Sequence, residues 1–483
     1  MGKYITDYFL YKRRYVLGYS AIALAVIGLL LLAGLYVPGG LTKGEMESTV
    51  ISSGLSLKTF DPATIVNLPY HMLQRLSFEA FGISNLSIKL PSLILATATI
   101  IGILLLLRRW FRGNVALLTT VLVVTTGQLL FIAQSGTPSI MYIFTSVWIL
   151  LTALLISRRV AWSGGWKAVL FIIAAISLYT PLSIYILVAL LSALALHPHL
   201  RYLVRRLPKL KVALAALCAL IIIAPLIYAI IKQPHIGLTL LGVPETQPNF
   251  WDNGVKILQQ YLDFITPSSG ELITPIYGLG PMLLVILGAL RLVTTKYTAR
   301  SYIISAWVIL LLPVVIINPN FVSVTFVPLV LLMAMGIDIL LGNWYRLFPR
   351  NPYARIVGLV PLAILIGGMV VSGIDRYVYG YHYDPQTISH FSRDLPLLNL
   401  ELNNEDRGLT ALVVGNKEIP FYTAVAHHHK NVMVNPTQVD PATKTIIISN
   451  AANHDSTVGL TRIVTGRSSV NADRLYIYKT DQK

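Results

Sequence analysis

The segment between the first two apolar runs of the chain, residues 37–91, reads VPGGLTKGEMESTVISSGLSLKTFDPATIVNLPYHMLQRLSFEAFGISNLSIKLP. It mixes polar, small and aromatic residues, whereas residues 16–36 before it and 90–107 after it are predominantly apolar. A run of about 20 apolar residues is long enough to cross a bilayer as a helix. The segment therefore predicts a long loop, residues 37–90 (loop 1), between two membrane helices.

The composition of the 483-residue chain is typical of a multipass membrane protein. Hydrophobic residues make up 55% and charged residues 12%, with a mean hydropathy of +0.67, which is too apolar for an ordinary soluble protein. The net charge of +17 comes from Lys and Arg in short clusters between apolar runs, as in cytoplasmic loops. Nucleic-acid binding needs one continuous basic face and is not expected. The single Cys218 excludes an intramolecular disulfide and a cysteine metal site.

Apolar segments alternate with basic clusters over residues 1–374. Lys12, Arg13 and Arg14 precede the first segment, which exceeds the apolar core of a signal peptide, so we expect a retained helix and a cytoplasmic N-terminus. The run from 167 to 196 is interrupted at Pro181 and predicts two short helices. In all, the pattern predicts about eleven spans, at residues 16–36, 90–107, 115–133, 141–156, 167–196 (two helices), 212–231, 281–293, 302–317, 321–341 and 356–374.

Two further regions have a different composition. Residues 232–280 (loop 2) contain Pro, Gly and polar residues with one amphipathic piece, 253–264, and we expect them on the same face as loop 1. Residues 375–483 are polar and predict a small α/β domain on that face. Its elements are strands at 409–414, 432–434, 445–449 and 475–478 and a helix at 418–430. The fold class is thus a mainly α-helical membrane bundle with a small C-terminal α/β domain.

Loop 1 carries three acids that are candidates for chemistry, Glu45, Glu47 and Asp61. Acids at a membrane surface can deprotonate an acceptor hydroxyl, bind a divalent cation or stabilise positive charge at an anomeric carbon. Two glutamates at positions i and i+2 do not share a helix face, so their spacing equally fits solvated loop acids.

Several short motifs between residues 40 and 200 occur in a characteristic order. They are Gly44-Glu45, the small-residue segment 48–54, Leu68-Pro69-Tyr70-His71, the aromatic segment 76–82, Lys89-Leu90-Pro91-Ser92, and Ala133-Gln134-Ser135-Gly136-Thr137-Pro138-Ser139. This order resembles the GT-C glycosyltransferases, in particular the protein O-mannosyltransferases and the lipid A aminoarabinose transferases. The resemblance implies a GT-C-like fold. It also implies transfer of a sugar from a polyprenyl-phosphate donor to a lipid, glycan or protein acceptor on the outer face of the cell membrane, where the C-terminal domain is then extracytoplasmic.

The resemblance also implies roles for particular residues. Glu45, assisted by Glu47 or Asp61, would be the catalytic acid, and Glu45 a candidate ligand of a divalent cation, Mn²⁺ or Mg²⁺. Cations near the outer interface would neutralise the donor phosphate, and the outer-facing candidates are Lys43, Lys58, Arg75, Lys89, Lys232 and Lys256. The candidates for donor or acceptor binding are Lys43, Tyr70, His71, Arg75, Lys89, Gln134 and Thr137.

The chain departs from the family pattern at acidic positions. Gly44 and Ser139 stand where the family has Asp, and Val66 or Asn67 stands where some relatives have a metal-binding Glu. Two interpretations follow: a transferase in which another loop acid has taken over, or a non-catalytic relative that binds lipid-linked glycan or scaffolds a cell-envelope complex. A transporter would need discontinuous helices in paired halves, and the sequence has no such inverted repeat.

Overall fold

The computed structural model describes residues 13–55, 61–158, 163–244, 247–265, 270–295, 298–347, 352–402, 409–429, 431–436, 443–450, 452, 460–465 and 474–479. Within these residues the helices up to residue 383 are, in chain order, α1 (Arg14–Leu35), α2 (Lys43–Gly54), α3 (Leu68–Phe81), α4 (Asn85–Trp110), α5 (Gly113–Val124), α6 (Gly127–Gln134), α7 (Ser139–Ser157), α8 (Ser163–Ser177), α9 (Ile184–Leu196), α10 (Pro198–Arg205), α11 (Lys209–Lys232), α12 (His235–Leu241), α13 (Phe250–Leu262), α14 (Leu279–Thr294), α15 (Ala299–Ile317), α16 (Ser323–Leu347) and α17 (Pro352–Tyr383).

Seven of the described helices are long and apolar enough to cross a membrane. If each of two bent helix pairs is counted as one further span, the number rises to nine. The bent pairs are α5 with α6, at 60°, and α9 with α10, at 97°. Two more apolar helices, α8 and α14, are shorter. The predicted number of about eleven counted α5 with α6 as one span, α9 without α10 as another, and both short helices as spans. The predicted break in the segment from 167 to 196 is present, because α8 ends before it and α9 begins after it.

Loop 1 folds into two helices, α2 and α3. Helix α2 begins with a capping box, in which Thr42 Oγ1 accepts a hydrogen bond from the Glu45 N–H and the Glu45 carboxylate accepts one from the Thr42 N–H. Helix α3 ends at Gly82, whose φ of 67° lies in the left-handed region that glycine adopts without a steric penalty. The start of α2 and the end of α3 are therefore both encoded by the local sequence.

The C-terminal region begins where α17 ends, at Tyr383, so the predicted boundary between residues 374 and 375 falls inside this helix. It comprises α18 (Pro385–Ile388), α19 (Asp394–Leu402), β1 (Thr410–Val413), α20 (Ile419–Ala426), β2 (Val432–Val434), β3 (Thr445–Ser449), β4 (Leu460–Thr465) and β5 (Arg474–Lys479). The strand order is β2-β1-β3-β5-β4; β1 is parallel to β2 and β3, and β5 is antiparallel to β3 and β4. The sequence predicted four of these strands and missed β4, a largely exposed edge strand without an alternating buried face.

The C-terminal region packs directly on loop 1. Met46 of α2 and Phe78 of α3 share one hydrophobic core with Leu412 of β1 and Phe421 of α20. A backbone pairing extends this contact, because Leu41 and Ser392 exchange two N–H···O hydrogen bonds of 2.8 Å. The sheet is therefore attached to the loop that carries the predicted site.

Candidate functional site

Glu45 lies in the interior of the protein with no exposed surface. Its Oε2 accepts a hydrogen bond of 2.7 Å from the Thr42 N–H, and its Oε1 accepts one of 2.6 Å from the Gly136 N–H. The Lys89 ammonium is 3.6 Å from Oε1, and neither side chain is exposed. The carboxylate thus joins the start of α2 to the segment between α6 and α7, and it has no surface at which an acceptor could approach.

Lys89 is fixed by the same arrangement. Its Nζ donates hydrogen bonds of 2.8 Å to the Gly40 carbonyl and to Gln134 Oε1, in addition to its ion pair with Glu45. These three partners match the three N–H donors of an ammonium group. The structure therefore brings together three residues predicted from the sequence, Glu45, Lys89 and Gln134, in one buried cluster.

Gln74 of α3 extends the cluster. Its Nε2 donates hydrogen bonds of 3.1 Å to the Ile88 and Gly136 carbonyls, and its Oε1 accepts from Ser48 Oγ at 2.9 Å and Ser52 Oγ at 2.6 Å. The small residues of α2 thus serve as polar contacts between the two helices of loop 1. The sequence analysis did not single out Gln74, because its partners are up to 62 positions away in the chain.

His71 and Tyr70 are also buried. Ser52 Oγ donates its hydrogen to Gln74 Oε1, so it accepts a hydrogen bond of 2.8 Å from His71 Nδ1–H. The neutral imidazole therefore carries its proton on Nδ1. Burial lowers the pKa of His71 to about 4. The Tyr70 hydroxyl is hydrogen-bonded to Ser92 Oγ at 2.8 Å, and burial raises its pKa. Both residues hold α3 in place in this conformation.

A polar cavity of about 700 Å³ lies beside the buried cluster, between the start of α7, the start of α16 and loop 2. Its described lining residues include hydroxyl, amide and charged side chains: Asn67, Thr137, Ser139, Tyr142, Thr180, Lys256, Gln259, Gln260, Glu271, Thr274, Asn320 and Ser323. Among the described lining residues, Lys256 carries the only ammonium and Glu271 the only carboxylate. Two polar atoms at this wall, Asn67 Oδ1 and Thr180 Oγ1, are buried without a hydrogen-bond partner.

Gly44 and Ser139, the two positions where the resemblance implies aspartates, both lie beside Thr137. A Cβ atom built on Gly44 would lie 3.7 Å from Thr137 Cγ2, in ordinary contact. The Thr137 hydroxyl is hydrogen-bonded to Ser135 Oγ at 2.8 Å and to Ser139 Oγ at 2.9 Å. Hydroxyl groups therefore occupy the wall of the polar cavity where carboxylates would be expected.

Of four further predicted residues, three are exposed, and the fourth, Arg75, is half-buried. Lys43 and Glu47 are exposed on α2, and Asp61 is exposed and caps the turn Pro62–Thr64 by accepting a 3.0 Å hydrogen bond from the Ala63 N–H. Arg75 forms a 2.9 Å ion pair with Glu79 four residues later on α3. These four residues are not brought into the buried cluster, and their predicted roles remain predictions. Of the other predicted phosphate-binding cations, Lys232 is exposed and Lys58 lies outside the described residues.

Lys43 has a neighbour in the C-terminal region, Glu418. Burial raises the pKa of the Glu418 carboxyl, and the nearby Lys43 ammonium partly offsets this increase. The contact places an end of α2 beside α20. Together with the packing of Met46 and Phe421 in one core, it locates the start of α2 near the start of α20, which the sequence analysis could not establish.

The predicted divalent cation does not fit the geometry around Glu45. Both carboxylate oxygens accept backbone hydrogen bonds, and the neighbouring charge is the Lys89 ammonium, which would repel a cation. Within the described ranges, no group of three or more His, Cys, Asp or Glu side chains is placed to hold a metal ion.

Loop 2 contributes Lys256, one of the predicted phosphate-binding cations, and three residues that the sequence analysis did not assign to the site, Gln259, Gln260 and Glu271. Lys256, Gln259 and Gln260 come from α13, and Glu271 comes from the segment after it. That segment is anchored to the bundle, because the Tyr381 hydroxyl donates to the Glu271 carbonyl at 2.9 Å and the Ile276 N–H donates to the Gln260 carbonyl at 2.7 Å. The amphipathic pattern at 253–264 was the available signal, since its polar face lines the cavity.

Residues 69–228 match the sequence profile of the dolichyl-phosphate-mannose-protein mannosyltransferase family. No curated protein matches the chain. Among solved structures, apo ArnT from Cupriavidus metallidurans is 13% identical, with a TM-score of 0.51 over 90% of this chain and 94% of ArnT. The oligosaccharyltransferase of Archaeoglobus fulgidus, tethered to an acceptor peptide, is 11% identical, with a TM-score of 0.50 over 89% of this chain and 69% of that protein. ArnT bound to undecaprenyl phosphate is 14% identical, with a TM-score of 0.45 over 96% and 98%.

The apo ArnT and oligosaccharyltransferase structures share one fold with this chain over about nine-tenths of its length. The family profile covers the part of the sequence that contains α3, α4 and α7. The motif order in residues 40–200 predicted this fold class, and the prediction is confirmed. The chain therefore has the fold of ArnT and of the archaeal oligosaccharyltransferase, which is the GT-C-like fold predicted from the sequence.

Proposed function

We propose that this protein transfers a sugar from a polyprenyl-phosphate donor to an acceptor at the outer face of the cell membrane, with the polar cavity as the reaction site. The lining of that cavity carries the proposal. Its amide and hydroxyl groups match the hydrogen-bonding groups of a sugar, and its volume of about 700 Å³ suits a ligand of that size. The N-terminus is then cytoplasmic, and the C-terminal domain is extracytoplasmic.

The two charged residues of the cavity receive complementary roles in this proposal. Lys256 stabilises the negative charge on the donor phosphate as the bond between the anomeric carbon and the phosphate oxygen breaks. Glu271 accepts the proton of the acceptor hydroxyl as its oxygen forms the new bond to the anomeric carbon. The family that residues 69–228 match is named for a dolichyl-phosphate sugar, which supports a lipid-phosphate donor.

Glu45 acts as a positioning residue in this mechanism. Its carboxylate holds the Gly136 N–H and the Lys89 ammonium, and the segment that follows Gly136 supplies Thr137 and Ser139 to the cavity wall. Loss of Glu45 would therefore move the wall and affect transfer together with stability. A catalytic Glu45, as predicted from the sequence, would instead affect transfer alone.

A second candidate function rests on the hydroxyl-lined wall. Gly44 and Ser139 supply no carboxylate to the cavity wall beside Thr137, and removing a general base typically costs about 100- to 10,000-fold in rate. The second proposal is a non-catalytic protein that binds a lipid-linked glycan in the same cavity. It is distinguished from the first proposal by binding without turnover.

The test uses the purified protein in lipid nanodiscs with a panel of radiolabelled polyprenyl-phosphate sugars, with and without Mn²⁺ or Mg²⁺. Donor hydrolysis, transfer and binding are followed for the wild type, Glu271→Gln and, as a matched control, Glu79→Gln, whose carboxylate is exposed on α3. The transferase proposal expects turnover that Glu271→Gln reduces by about 100-fold or more and Glu79→Gln leaves unchanged.

The other outcomes of this test are equally definite. Binding without turnover in the wild type, with turnover gained in Gly44→Asp, would establish the second candidate. Turnover that Glu271→Gln does not change would remove Glu271 from the mechanism. Absence of both binding and turnover with every donor would refute both proposals.

A further inference from the structure

A second cavity lies at the end of the bundle opposite the polar cavity. Helix α7 connects the two, because Ser139 at its start lines the polar cavity and Ser157 at its end lines the second one. At a rise of 1.5 Å per residue, these two positions are about 27 Å apart. The second cavity has a volume of about 470 Å³. It therefore cannot be part of the proposed reaction site.

The wall of the second cavity is apolar but carries three cations. Its apolar side chains come from several helices and include Trp110, Leu150, Leu170, Phe171, Leu190 and Ile303. The cations are Lys167, Arg206 and Arg300, and the described lining residues contain no Asp or Glu. These three positive charges give the cavity a positive potential, which favours an anionic ligand. The apolar wall beside them favours a ligand that also has an apolar part.

Lys167 distinguishes this cluster from ordinary interfacial anchors. Only 4% of its surface is exposed, and it has no hydrogen bond or ion pair within the described part of the chain. Basic residues that anchor helix ends keep the charged group in water, as the exposed Arg158, Arg201 and Arg205 do here. Lys167 lines the cavity and has no partner in the described part of the chain, so a molecule bound in the cavity can supply its counter-charge.

The two arginines flank Lys167 at the same cavity. Arg300 Nη1 donates to the Trp110 carbonyl at 3.2 Å, while its Nε is buried without a hydrogen-bond partner. Asp338 attracts Arg300 electrostatically but does not line the cavity. The guanidinium of Arg206 lies 4.3 Å above the Tyr202 ring. The arginines are therefore held in place by neighbouring groups, with donor capacity left for an anion.

We propose that this cavity binds the phosphate group of a membrane lipid, with the hydrocarbon chain against its apolar wall. Lys167, Arg206 and Arg300 supply charged donors to the phosphate oxygens. The site is independent of the function proposed for the polar cavity. Two kinds of lipid carry the required chemistry, an anionic glycerophospholipid and a polyprenyl phosphate.

The test measures lipid binding to the delipidated full-length protein in detergent by native mass spectrometry. The lipids are phosphatidylglycerol, undecaprenyl phosphate and phosphatidylcholine, with inorganic phosphate as a ligand that lacks a chain. We expect Lys167→Met to weaken binding of the preferred anionic lipid at least about tenfold, the effect of losing one charged hydrogen bond. The exposed Lys209→Met is the matched control and is expected to bind like the wild type.

Thermal melting of the same samples gives a second readout. The preferred lipid should raise the melting temperature of the wild type and of Lys209→Met but not that of Lys167→Met. Lipid-free Lys167→Met should melt at or above the wild-type temperature, because the substitution removes a positive charge that has no protein partner in the described part of the chain. Preference for phosphatidylglycerol or for undecaprenyl phosphate identifies the source of the phosphate. Equal binding of all lipids by all variants, or equal binding of inorganic phosphate alone, would overturn the proposal.

Discussion

Replacing Glu45 by glutamine removes a negative charge from a site with no exposed surface. The Gln side chain has one oxygen, so it can accept only one of the two backbone hydrogen bonds, from Thr42 or Gly136, and its NH₂ group faces the other donor. The Lys89 ammonium loses its partner at 3.6 Å. Breaking a buried ion pair by removing one partner costs about 3–5 kcal/mol, and we expect the free energy of unfolding to fall by this amount.

The assay is chemical denaturation of purified variants in one detergent. Glu47→Gln is the control, because this exposed residue on the same helix should change stability by no more than about 0.5 kcal/mol. Lys89→Met and the double variant complete a cycle, and we expect Glu45→Gln and Lys89→Met together to cost less than the sum of the single costs, by about 0.5–3 kcal/mol. A Glu45→Gln protein with wild-type stability but no transfer would refute this reasoning and assign Glu45 the catalytic role predicted from the sequence.

Three further results are expected. Gly136→Ala should lower stability by about 1–3 kcal/mol, because its Cβ would lie 2.6 Å from Ile88 Cγ2; denaturation curves equal to the wild type would contradict this close approach. Gly44→Asp should leave stability unchanged or raise it by about 0.3–1 kcal/mol, because the Cβ has room and the acid lies in the first turn of α2; a loss measured in the same assay would show that the space beside Thr137 is smaller. His71 has a folded-state pKa of about 4, below its unfolded value of about 6.5, so its contribution to stability is present above pH 6.5 and is lost as the pH falls toward 4. It should account for about 2 kcal/mol of the stability lost between pH 7 and pH 5, and denaturation of His71→Gln at both pH values should show a loss smaller by that amount; an equal loss in both proteins would refute the assignment.

The sequence by itself determined most of the membrane architecture. Hydropathy and basic clusters are properties of single segments, so they located the apolar helices, the break near Pro181 and the amphipathic α13. Turn and strand signals are local as well, and they located β1, β2, β3 and β5. The exposed edge strand β4 lacks the alternating pattern on which such a prediction depends, and it was missed.

Only the tertiary structure decided which predicted residues meet. From the sequence, Glu45 is expected to be a solvent-accessible loop acid. In the structure its carboxylate is buried and accepts a hydrogen bond from the N–H of Gly136, 91 positions later in the chain. The polar cavity combines Thr137 and Ser139 with Lys256 and Glu271 of loop 2, which no local pattern connects. Local propensities act over one or two turns, whereas burial and electrostatic pairing depend on segments that packing brings together; the helices were therefore predictable from sequence, and the site was not.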